Sequence, residues 1–504
     1  MANPLFDALF GLHSGKETPF LHLAGGAVIT HAAFLRQVAQ FAHVMAEMGL
    51  VAGDRVAVQI AKSPEALAVY GACVQSGLVF LPLNTAYTPE ELRYFVEDSG
   101  ARLFLCDAAR AEALAPIAAG AGARLSTLNA DGSGDFATAA AAQPSDFATV
   151  ERSGDDLAAF LYTSGTTGRS KGAMLTQTNL LANARTLAEV WRFSASDVLL
   201  HALPIFHTHG LFVASNVTLI AGGSMIFLPK FDLEEIISLL PRATTMMGVP
   251  TFYTRLLSDP RFTADLAAHM RLFISGSAPL LAETHREFEA RTGHRILERY
   301  GMTETNMNTS NPYDGDRIAG TVGLPLPGVE VKITDPATGE TLPSGEIGQI
   351  EVRGPNVFKG YWNMPEKTRE ELRENGFFIT GDLGRIDEAG YIHIVGRNKD
   401  LIISGGYNIY PKEIELLLDD QPGVLESAVI GVPHADFGES VVGILVAKPG
   451  ATPDLAAIKT ALSASLARFK QPQKLILVPD LPRNTMGKVQ KNLLRNTYQN
   501  ILKA

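Results

Sequence analysis

The sequence predicts an α/β protein with a large N-terminal domain of parallel and mixed sheets covered by helices, followed by a small α+β C-terminal domain. In the first hundred residues, short apolar strands alternate with amphipathic helices, which is typical of parallel sheets flanked by helices. A chain of 504 residues is long enough for both domains. The C-terminal order is helix, strand, strand, helix and strand, at residues 411–420, 427–431, 441–447, 455–469 and 474–478.

The N-terminal elements follow from capping residues and hydrophobic spacing. Thr30 is predicted to cap a helix that ends at Gly49, because apolar residues recur there every three or four positions. Thr88 and Glu91 form a capping-box pattern that starts a further helix. Three apolar segments predict strands and one segment between them predicts a helix: 55–60, 78–81, 103–106 and 64–75. The alanine-rich stretch 109–153 gives no detailed prediction.

Composition and charge narrow the class of protein. Hydrophobic residues make up 46% and charged residues 19%, which is ordinary for a globular enzyme. The net charge of −10 argues against a general nucleic-acid binder. Cys73 and Cys106 lie in apolar surroundings and are predicted to be buried thiols in a reducing compartment. With no basic leader and no apolar run of about 18 residues, we expect a soluble, cytoplasmic protein that does not bind membranes.

Residues 161–172, Leu-Tyr-Thr-Ser-Gly-Thr-Thr-Gly-Arg-Ser-Lys-Gly, follow a predicted strand. The glycines let backbone N–H groups approach an anion, and Lys171 adds a full positive charge. A helix is expected to begin near Thr176 or Thr178, which would complete a strand, turn and helix that hold phosphate. The alternative is a solvated surface turn. Hydroxyl donors come from Thr163, Ser164, Thr166 and Thr167.

The stretch differs from a P-loop. That motif needs a lysine directly after glycine and directly before serine or threonine, so that the hydroxyl meets magnesium. Here Lys171 follows Ser170 and precedes Gly172. A P-loop kinase or NTPase is therefore excluded from the predicted functions.

Residues 161–172 closely resemble the phosphate loop of the adenylate-forming enzymes, which include acyl-CoA synthetases, adenylation domains of peptide synthetases and firefly luciferase. Residues 298–304, Glu-Arg-Tyr-Gly-Met-Thr-Glu, match a second motif of that family. The resemblance implies that Tyr300 stacks on adenine, Thr303 contacts phosphates and Glu304 holds Mg²⁺. It implies further contacts with ATP from Thr163, which is also a catalytic candidate, and from Ser164, Gly165, Thr166, Thr167, Gly168, Lys171, Gly276, Ser277, Ala278 and Gly301.

Two segments resemble the acyl-binding parts of these enzymes. Residues 204–210, Pro-Ile-Phe-His-Thr-His-Gly, are similar to the entrance of the acyl pocket. We expect His207 to line that pocket and His209 to be structural, since two histidines without a third ligand are weak evidence for a metal. Residues 276–279 are expected along the adenine and the acyl group, with Ser277 facing both.

Later landmarks of the family follow in order. Asp382 and Arg397 match residues that bind the ribose, although a plain hairpin end would also explain Arg397. Lys488, in Pro-Arg-Asn-Thr-Met-Gly-Lys, matches the catalytic lysine that reaches the carboxylate and the α-phosphate. Taken alone, such a lysine would be a solvated surface charge.

The resemblance also implies a domain organisation. Residues 1–396 would form the ATP- and acyl-binding domain, and residues 403–504 a small mobile lid. The hinge would be residues 397–402, centred on Asp400. Residues expected near coenzyme A follow the hinge: Ser404, Gly405 and Gly406.

The implied reaction has two steps. A carboxylate attacks the α-phosphorus of Mg·ATP to give an acyl-adenylate and pyrophosphate, and a thiol then attacks the adenylate. Because the sequence has no carrier domain with a phosphopantetheine serine, we expect free coenzyme A to be the acceptor. ATP, Mg²⁺ and coenzyme A are therefore the predicted small-molecule ligands.

Arg299 is the residue that indicates which acid the enzyme binds. A buried arginine is costly unless it meets a carboxylate, and a short dicarboxylate supplies one. The alternative is that Arg299 turns outward and pairs with Glu298. Together with residues 204–210, the motif around Arg299 resembles the malonyl-CoA synthetases, in which Thr208 and Met307 would limit substrate bulk. Malonate is the predicted substrate, with methylmalonate as a possible second.

The sequence leaves two alternative functions open and suggests one covalent modification. A CoA ligase for another small acid, such as oxalate, is the first alternative. A non-catalytic adenylate-binding or luciferase-like protein is the second, but Glu304 and Lys488 argue against it. We also expect that acetylation of Lys488 by a lysine acetyltransferase, reversed by a deacetylase, would stop adenylation.

Overall fold

A computed structural model of the chain describes residues 3–163, 170–404, 407–434, 437–484 and 487–502. The chain forms two compact units. The larger comprises Met1–Glu330 and Val352–Phe378, and the smaller comprises Val331–Glu351 and Ile379–Ala504. The hinge expected at residues 397–402 lies within the smaller unit by this division, and the boundary stays a prediction.

The strands alternate with helices through most of the chain. In chain order, the strands are β1 (Pro19–Leu23), β2 (Val28–Thr30), β3 (Arg55–Gln59), β4 (Val79–Pro82), β5 (Leu103–Cys106), β6 (Arg124–Thr127), β7 (Leu157–Thr163), β8 (Lys171–Thr176), β9 (Val198–His201), β10 (Ser224–Phe227), β11 (Thr245–Gly248), β12 (Leu272–Ser275), β13 (Leu297–Met302), β14 (Asn306–Ser310), β15 (Leu324–Pro325), β16 (Glu330–Thr334), β17 (Gly348–Arg353), β18 (Gly360–Tyr361), β19 (Phe378–Ile386), β20 (Ile392–Arg397), β21 (Ile402–Ser404), β22 (Tyr407–Ile409), β23 (Val424–His434), β24 (Gly438–Ala447) and β25 (Lys474–Val478).

The helices cover the sheets. In chain order they are α1 (Pro4–Leu9), α2 (His31–Glu47), α3 (Pro64–Gln75), α4 (Pro89–Ser99), α5 (Ala111–Gly120), α6 (Asp135–Ala141), α7 (Gln177–Val190), α8 (Asn216–Ala221), α9 (Leu233–Leu239), α10 (Pro250–Leu257), α11 (Ala264–Ala267), α12 (Ala282–Thr292), α13 (Pro365–Glu371), α14 (Pro411–Asp419), α15 (Leu455–Ser465) and α16 (Lys491–Tyr498). A π-helical turn, His209–Ser215, precedes α8.

The larger unit contains two sheets with mostly parallel centres. One has the strand order β15-β14-β13-β12-β11-β9-β10-β1-β2, and the other has the order β18-β8-β7-β4-β3-β5-β6. The smaller unit contains a sheet of order β16-β17-β19-β20 and a second sheet in which β24 pairs with β21, β23 and β25. This arrangement confirms the predicted mixed α/β fold with a smaller C-terminal part.

Capping explains why several helices start where they do. The Thr30 side chain accepts from the N–H of Ala33 at the start of α2, as predicted. Thr88 and Glu91 form the predicted capping box at the start of α4. The unassigned stretch 109–153 folds into α5, β6 and α6.

One local prediction was incomplete. The helix expected to begin near Thr176 or Thr178 is confirmed, since α7 begins after Thr176, which caps it together with Asn179. Between the glycine-rich stretch and this helix, however, the strand β8 intervenes and pairs antiparallel with β7. A strand was missed there because its six residues mix apolar and polar side chains without a clear alternation.

Candidate active site

The glycine-rich loop joins β7 to β8, and its described ends are fixed by hydrogen bonds. The Thr163 hydroxyl donates to the carbonyl oxygen of Lys171 at 3.4 Å. Tyr94, on α4, donates to the carbonyl oxygen of Ser170 at 2.9 Å. The two ends therefore lie together against α4. The predicted loop residues outside the described ranges are Ser164, Gly165, Thr166, Thr167 and Gly168.

Lys171 belongs to a group of opposite charges that we call the Glu304 cluster: Lys171, Glu304, Tyr361 and Glu371. Lys171 Nζ lies 3.0 and 3.1 Å from the two carboxylate oxygens of Glu371 and 4.2 Å from the centre of the Tyr361 ring. The Tyr361 hydroxyl lies 3.0 Å from Glu304 Oε1 and 2.6 Å from Glu371 Oε2. Burial raises the pKa of Glu304. The cluster thus brings an ammonium group close to a buried carboxylate.

The Glu304 cluster fits a magnesium ion that arrives with a nucleotide. Mg²⁺ is commonly held by one or two carboxylates together with substrate phosphates. Glu304 would supply a carboxylate to the ion, and Lys171 would supply a positive charge to the phosphates. Within the described ranges, no three His, Cys, Asp or Glu side chains assemble a metal site of their own.

A second group, the Arg299 cluster, comprises Thr208, His209, Ser277 and Arg299. Arg299 lies on β13 and is 4% exposed. Its guanidinium lies against Gly276, where an added Cβ would overlap it, so only glycine allows this approach. Arg299 Nε and Nη2 are buried without a hydrogen-bond partner among the described residues. Burial lowers the pKa of Arg299. This buried cation has polar atoms available for an anion.

His209 is the member that sequence reasoning regarded as structural. Its Nδ1 lies 3.1 Å from Ser277 Oγ, and Ser277 adopts a φ of +71°, a strained conformation for serine. His209 Nε2 and Thr208 Oγ1 are buried without partners in the described part of the chain. Burial, and then the charge of Arg299, lower the pKa of His209 well below its usual value, so the ring is neutral. The structure therefore adds His209 to the candidate site.

Arg299 turns inward, as the dicarboxylate hypothesis requires. Glu298 and Arg299 are adjacent on β13, so their side chains point to opposite faces of the sheet. Glu298 Oε1 lies 3.4 Å from Nδ1 of His285. The alternative of an outward arginine does not fit a side chain buried against Gly276.

The other predicted residues of the larger unit lie on β13 and β14, in the turn between these strands, and in the loops that follow β9 and β12. His207 is half-buried, and its Nδ1 accepts from the N–H of His209 at 3.4 Å. Met307 is buried and pairs with Gly301 across the β13–β14 ladder. Tyr300 is buried on β13, whereas the nearby half-buried residues are Ala278 and Thr303.

In the smaller unit, Asp382 and Arg397 face each other on β19 and β20. Asp382 Oδ1 lies 2.9 Å from Arg397 Nε, and these residues are partners in the strand register. Asp400 accepts from Arg495 Nη2 at 2.6 Å, which ties the predicted hinge residue to α16. The two ribose-binding candidates are thus brought together.

Lys488 lies in a tight turn of the smaller unit. Its N–H donates to Asn484 Oδ1 at 3.0 Å, and its carbonyl accepts from the N–H of Asn484 at 3.0 Å. The side chain is exposed, as a lysine that must reach a substrate requires. Ser404 is buried and pairs with Gly438 of β24. Two other residues predicted near coenzyme A, Gly405 and Gly406, lie outside the described ranges.

Tyr361 and Glu371 were missed by sequence reasoning. Glu371 is 200 residues from Lys171, so no spacing rule links them. The only available signal was Tyr361 beside a glycine in a short apolar segment, which is equally typical of a core strand. Their place in the site is set by the pairing of β18 with β8.

None of the helices in the described ranges is long and apolar enough to cross a lipid bilayer.

Comparisons with known proteins agree with this geometry. Residues 13–362 match the AMP-binding enzyme family, and residues 413–488 match the AMP-binding enzyme C-terminal domain. The crystal structure of ATP-bound MatB from Rhodopseudomonas palustris has 60% identity and a TM-score of 0.97, and the match covers 99% of this chain and 100% of that one.

Two sequence relatives add to this likeness. A malonate–CoA ligase of Arabidopsis thaliana is 38% identical over 485 residues, covering 90% of this chain and 79% of the relative. A mitochondrial malonate–CoA ligase of Mus musculus is 36% identical over 461 residues, covering 84% of this chain and 78% of the relative. Because that relative is mitochondrial, a cytoplasmic location stays a prediction for this chain.

Family matches span both units of the chain, and they agree with the order of the motifs found in the sequence. They confirm the predicted enzyme class and its substrates ATP and coenzyme A. The chain belongs to the AMP-binding enzyme family and is an AMP-forming acyl-CoA ligase.

Proposed function

We propose that the chain is a malonate–CoA ligase that converts malonate, ATP and coenzyme A to malonyl-CoA, AMP and pyrophosphate through a malonyl-adenylate. The observation that carries this proposal is the buried guanidinium of Arg299, with two nitrogens that lack partners among the described residues. In a dicarboxylate, one carboxylate reacts while the other accepts two charge-assisted hydrogen bonds from Arg299. The Arabidopsis and mouse relatives are malonate–CoA ligases, which supports malonate as that acid.

Selection against monocarboxylates follows from the cost of an unpaired buried charge. Acetate would leave the guanidinium of Arg299 without an anion, whereas malonate would neutralise it. We assign His209 the tautomer in which the Ser277 hydroxyl donates to Nδ1 and Nε2 carries the proton. Nε2 and the Thr208 hydroxyl then become further donors to the same carboxylate.

Substrate size is limited by the residues beside these donors. Thr208 and Met307 are both buried, and by the resemblance they would flank the carbon between the two carboxylates and limit its substituents. Methylmalonate is the next candidate after malonate, and longer acids should fit poorly. Oxalate, which lacks that carbon, is the alternative substrate.

In the first step, the reacting carboxylate attacks the α-phosphorus of ATP and pyrophosphate leaves. Lys171 and the glycine-rich loop, including Thr163, would hold the leaving phosphates, and Glu304 would hold the magnesium ion. A bound magnesium ion offsets phosphate charge. Lys488 would stabilise the charge that develops between the carboxylate and the α-phosphate. The adenosine would be held by Gly276, Ala278, Tyr300, Asp382 and Arg397.

In the second step, the thiol of coenzyme A attacks the acyl carbon, a C–S bond forms and the C–O bond to AMP breaks. We propose that the C-terminal lid turns about Asp400 between the steps, so that Lys488 withdraws. The segment containing Ser404, Gly405 and Gly406 would then approach the thiol. Kinetics with a substitution that restricts the backbone at Asp400, such as Asp400→Pro, should show pyrophosphate release without thioester formation.

A panel of acids tests the proposed function. The purified chain is assayed with Mg·ATP, coenzyme A and malonate, methylmalonate, oxalate, succinate or acetate, and AMP release is measured. We expect kcat/KM for malonate to exceed that for acetate by about 100-fold or more. Acid-dependent pyrophosphate release without coenzyme A tests the adenylate. A higher kcat/KM for oxalate than for malonate would identify oxalate as the substrate. Equal kcat/KM values for acetate and malonate would contradict recognition by Arg299.

We also propose that acetylation of the exposed Lys488 controls the first step. Neutralising this ammonium removes the charge that would stabilise the attack on the α-phosphate. The acetylated protein should lose malonate-dependent pyrophosphate release but still form malonyl-CoA from supplied malonyl-adenylate. Equal rates of adenylation before and after acetylation would contradict this role.

A further inference from the structure

Lys62 is a further basic side chain inside the larger unit, and none of the roles above uses it. It lies in the loop between β3 and α3, half-buried, with Nζ 4.3 Å from the centre of the Phe227 ring. It lines a cavity of about 460 Å³, and every lining residue that the structure describes is apolar, neutral or basic. Burial lowers the pKa of Lys62 well below its usual value. A lysine held this way, with no carboxylate beside it among the described residues, is costly and needs an explanation.

Lys62 is hydrogen-bonded to a buried histidine. Its Nζ lies 2.9 Å from His201 Nδ1 and 2.8 Å from the His201 carbonyl oxygen. His201 Nε2 lies 2.8 Å from the carbonyl oxygen of Gly210, which can only accept. The ring therefore carries its proton on Nε2 and accepts from Lys62 at Nδ1. Burial, and then the charge of Lys62, lower the pKa of His201 well below its usual value, so the ring stays neutral.

The bond to Gly210 fixes the segment that leads into the Arg299 cluster. The Gly210 carbonyl also accepts from the Ser215 hydroxyl at 2.9 Å. A Cβ at Gly210 would overlap the carbonyl oxygen of Pro204, so the loop 204–210 is folded as tightly as glycine allows. Residues 208 and 209, directly before this anchored peptide, are Thr208 and His209 of the Arg299 cluster.

We propose that Lys62 is a positioning residue that sets acid specificity, acting through His201 and the Gly210 carbonyl on Thr208 and His209. The relay runs from Lys62 to His201, to the Gly210 carbonyl, and through the backbone to the His209 ring on Ser277. Lys62 locks the tautomer of His201 that donates to Gly210. Without that lock, the ring can rotate or change tautomer, and the carbonyl and the side chains before it lose their fixed direction. This inference rests on the proposed function, because it assigns Thr208 and His209 to the acid.

Lys62→Met tests the relay, and Lys230→Met is its matched control. Lys230 lines the same cavity but is exposed, so its loss changes the cavity charge without touching His201. For Lys62→Met we expect KM for malonate to rise about tenfold, with KM for ATP within about twofold of wild type. Lys62→Arg, which keeps a donor, should recover part of the loss. Lys230→Met should match wild type for both substrates.

Three outcomes would overturn the proposal. The first is an unchanged KM for malonate in Lys62→Met, and the second is an equal rise for malonate and ATP, which indicates a general structural role. The third is the same change in Lys230→Met. Should Lys62→Met fail to fold, Lys62→Arg and His201→Phe carry the same comparison, since the first alters only the bond from residue 62 and the second removes both bonds of the His201 ring.

Chemical rescue separates positioning from fold support. Lys62→Ala leaves room in the cavity for a small amine, so added ethylammonium should lower the raised KM for malonate while ethanol should not. Equal effects of amine and alcohol would contradict the role of the Lys62 donor. If wild type prefers another acid, the proposed function fails by that measurement alone. The Lys62 comparison is then made with the preferred acid, and it fails only if Lys62→Met and wild type agree.

Discussion

The two clusters of the larger unit differ in whether their charged groups have partners within the described residues. In the Glu304 cluster, Lys171 pairs with Glu371, and Tyr361 bridges the two carboxylates. In the Arg299 cluster, the cation has no acidic partner, and four polar atoms are buried without hydrogen bonds in the described part of the chain: Arg299 Nε, Arg299 Nη2, His209 Nε2 and Thr208 Oγ1.

This difference supports the proposal that the Arg299 cluster selects the acid. The charged groups around Glu304 already have partners without a ligand, so a nucleotide with its metal would exchange partners there. The Arg299 cluster is incomplete until an anion enters, because a buried unpaired cation costs several kcal/mol. We therefore expect changes at Arg299 to alter acid selection and changes around Glu304 to alter nucleotide affinity.

The largest effect should come from Arg299→Ala. Removing the guanidinium leaves malonate with a second carboxylate that no cation meets, so kcat/KM for malonate should fall by about 100-fold or more. ATP affinity, measured by nucleotide titration, should stay nearly unchanged. Arg295→Ala, which removes an exposed arginine four residues earlier, is the control. Unchanged malonate kinetics in Arg299→Ala would show that the Arg299 cluster does not select the acid.

A smaller effect on the same cluster is expected from Gly276→Ala. The added methyl group overlaps the guanidinium of Arg299 and should displace it, raising KM for malonate about tenfold. Gly120→Ala, where the methyl group enters open space, should behave as wild type. A Gly276→Ala protein with normal malonate affinity would show that Arg299 can move without loss.

The neutral histidine of the Arg299 cluster predicts a pH dependence of stability. His209 stays uncharged in the fold, whereas in the unfolded chain it binds a proton below about pH 6.5. Because the unfolded state then holds more protons, the free energy of unfolding should fall by about 1 kcal/mol from this group between pH 6.5 and 5.5. His209→Gln should flatten that part of a plot of Tm against pH. An unchanged slope would indicate that the ring is protonated in the fold.

The smallest effect should come from Glu371→Gln in the Glu304 cluster. Removing one negative charge beside Lys171 reduces competition for the ammonium and repulsion of phosphate, so KM for ATP should fall about threefold. Malonate affinity should not change. Glu370→Gln alters a neighbouring exposed carboxylate that pairs only with Lys367 among the described residues, and it is the control. A raised KM for ATP would show that Glu371 holds Lys171 in its working position.

Much of the fold could be predicted because local signals and tertiary structure agree. The helix at 64–75 and the strand at 103–106 were predicted with the bounds that the structure shows, since caps and apolar runs define both. The strand β8 was missed because its place depends on pairing with β7, which is a tertiary property. The stretch 109–153 was unassigned because alanine-rich helices carry little hydrophobic contrast.

The residues of the candidate site also differ in whether the sequence alone could identify them. Arg299 was found because an arginine beside a predicted pocket conflicts with local expectations, and such conflicts mark function. His209 was assigned a structural role, because its contact with Ser277 joins residues 68 positions apart. Glu371 and Lys62 gave no signal, since a lone acidic or basic residue is usually a solvated charge.

The π-helical turn at His209–Ser215 has a consequence for how the chain tolerates mutation. A π turn carries one residue more than an α turn, and reverting it by a single deletion would relieve its poorer geometry. The same deletion would rotate every side chain before it by about 100° around the helix axis, which would carry His209 away from Ser277. Variants selected only for a higher Tm should therefore carry a one-residue deletion in this turn and discriminate less between acids. A change in this turn that raises stability would lower substrate selectivity.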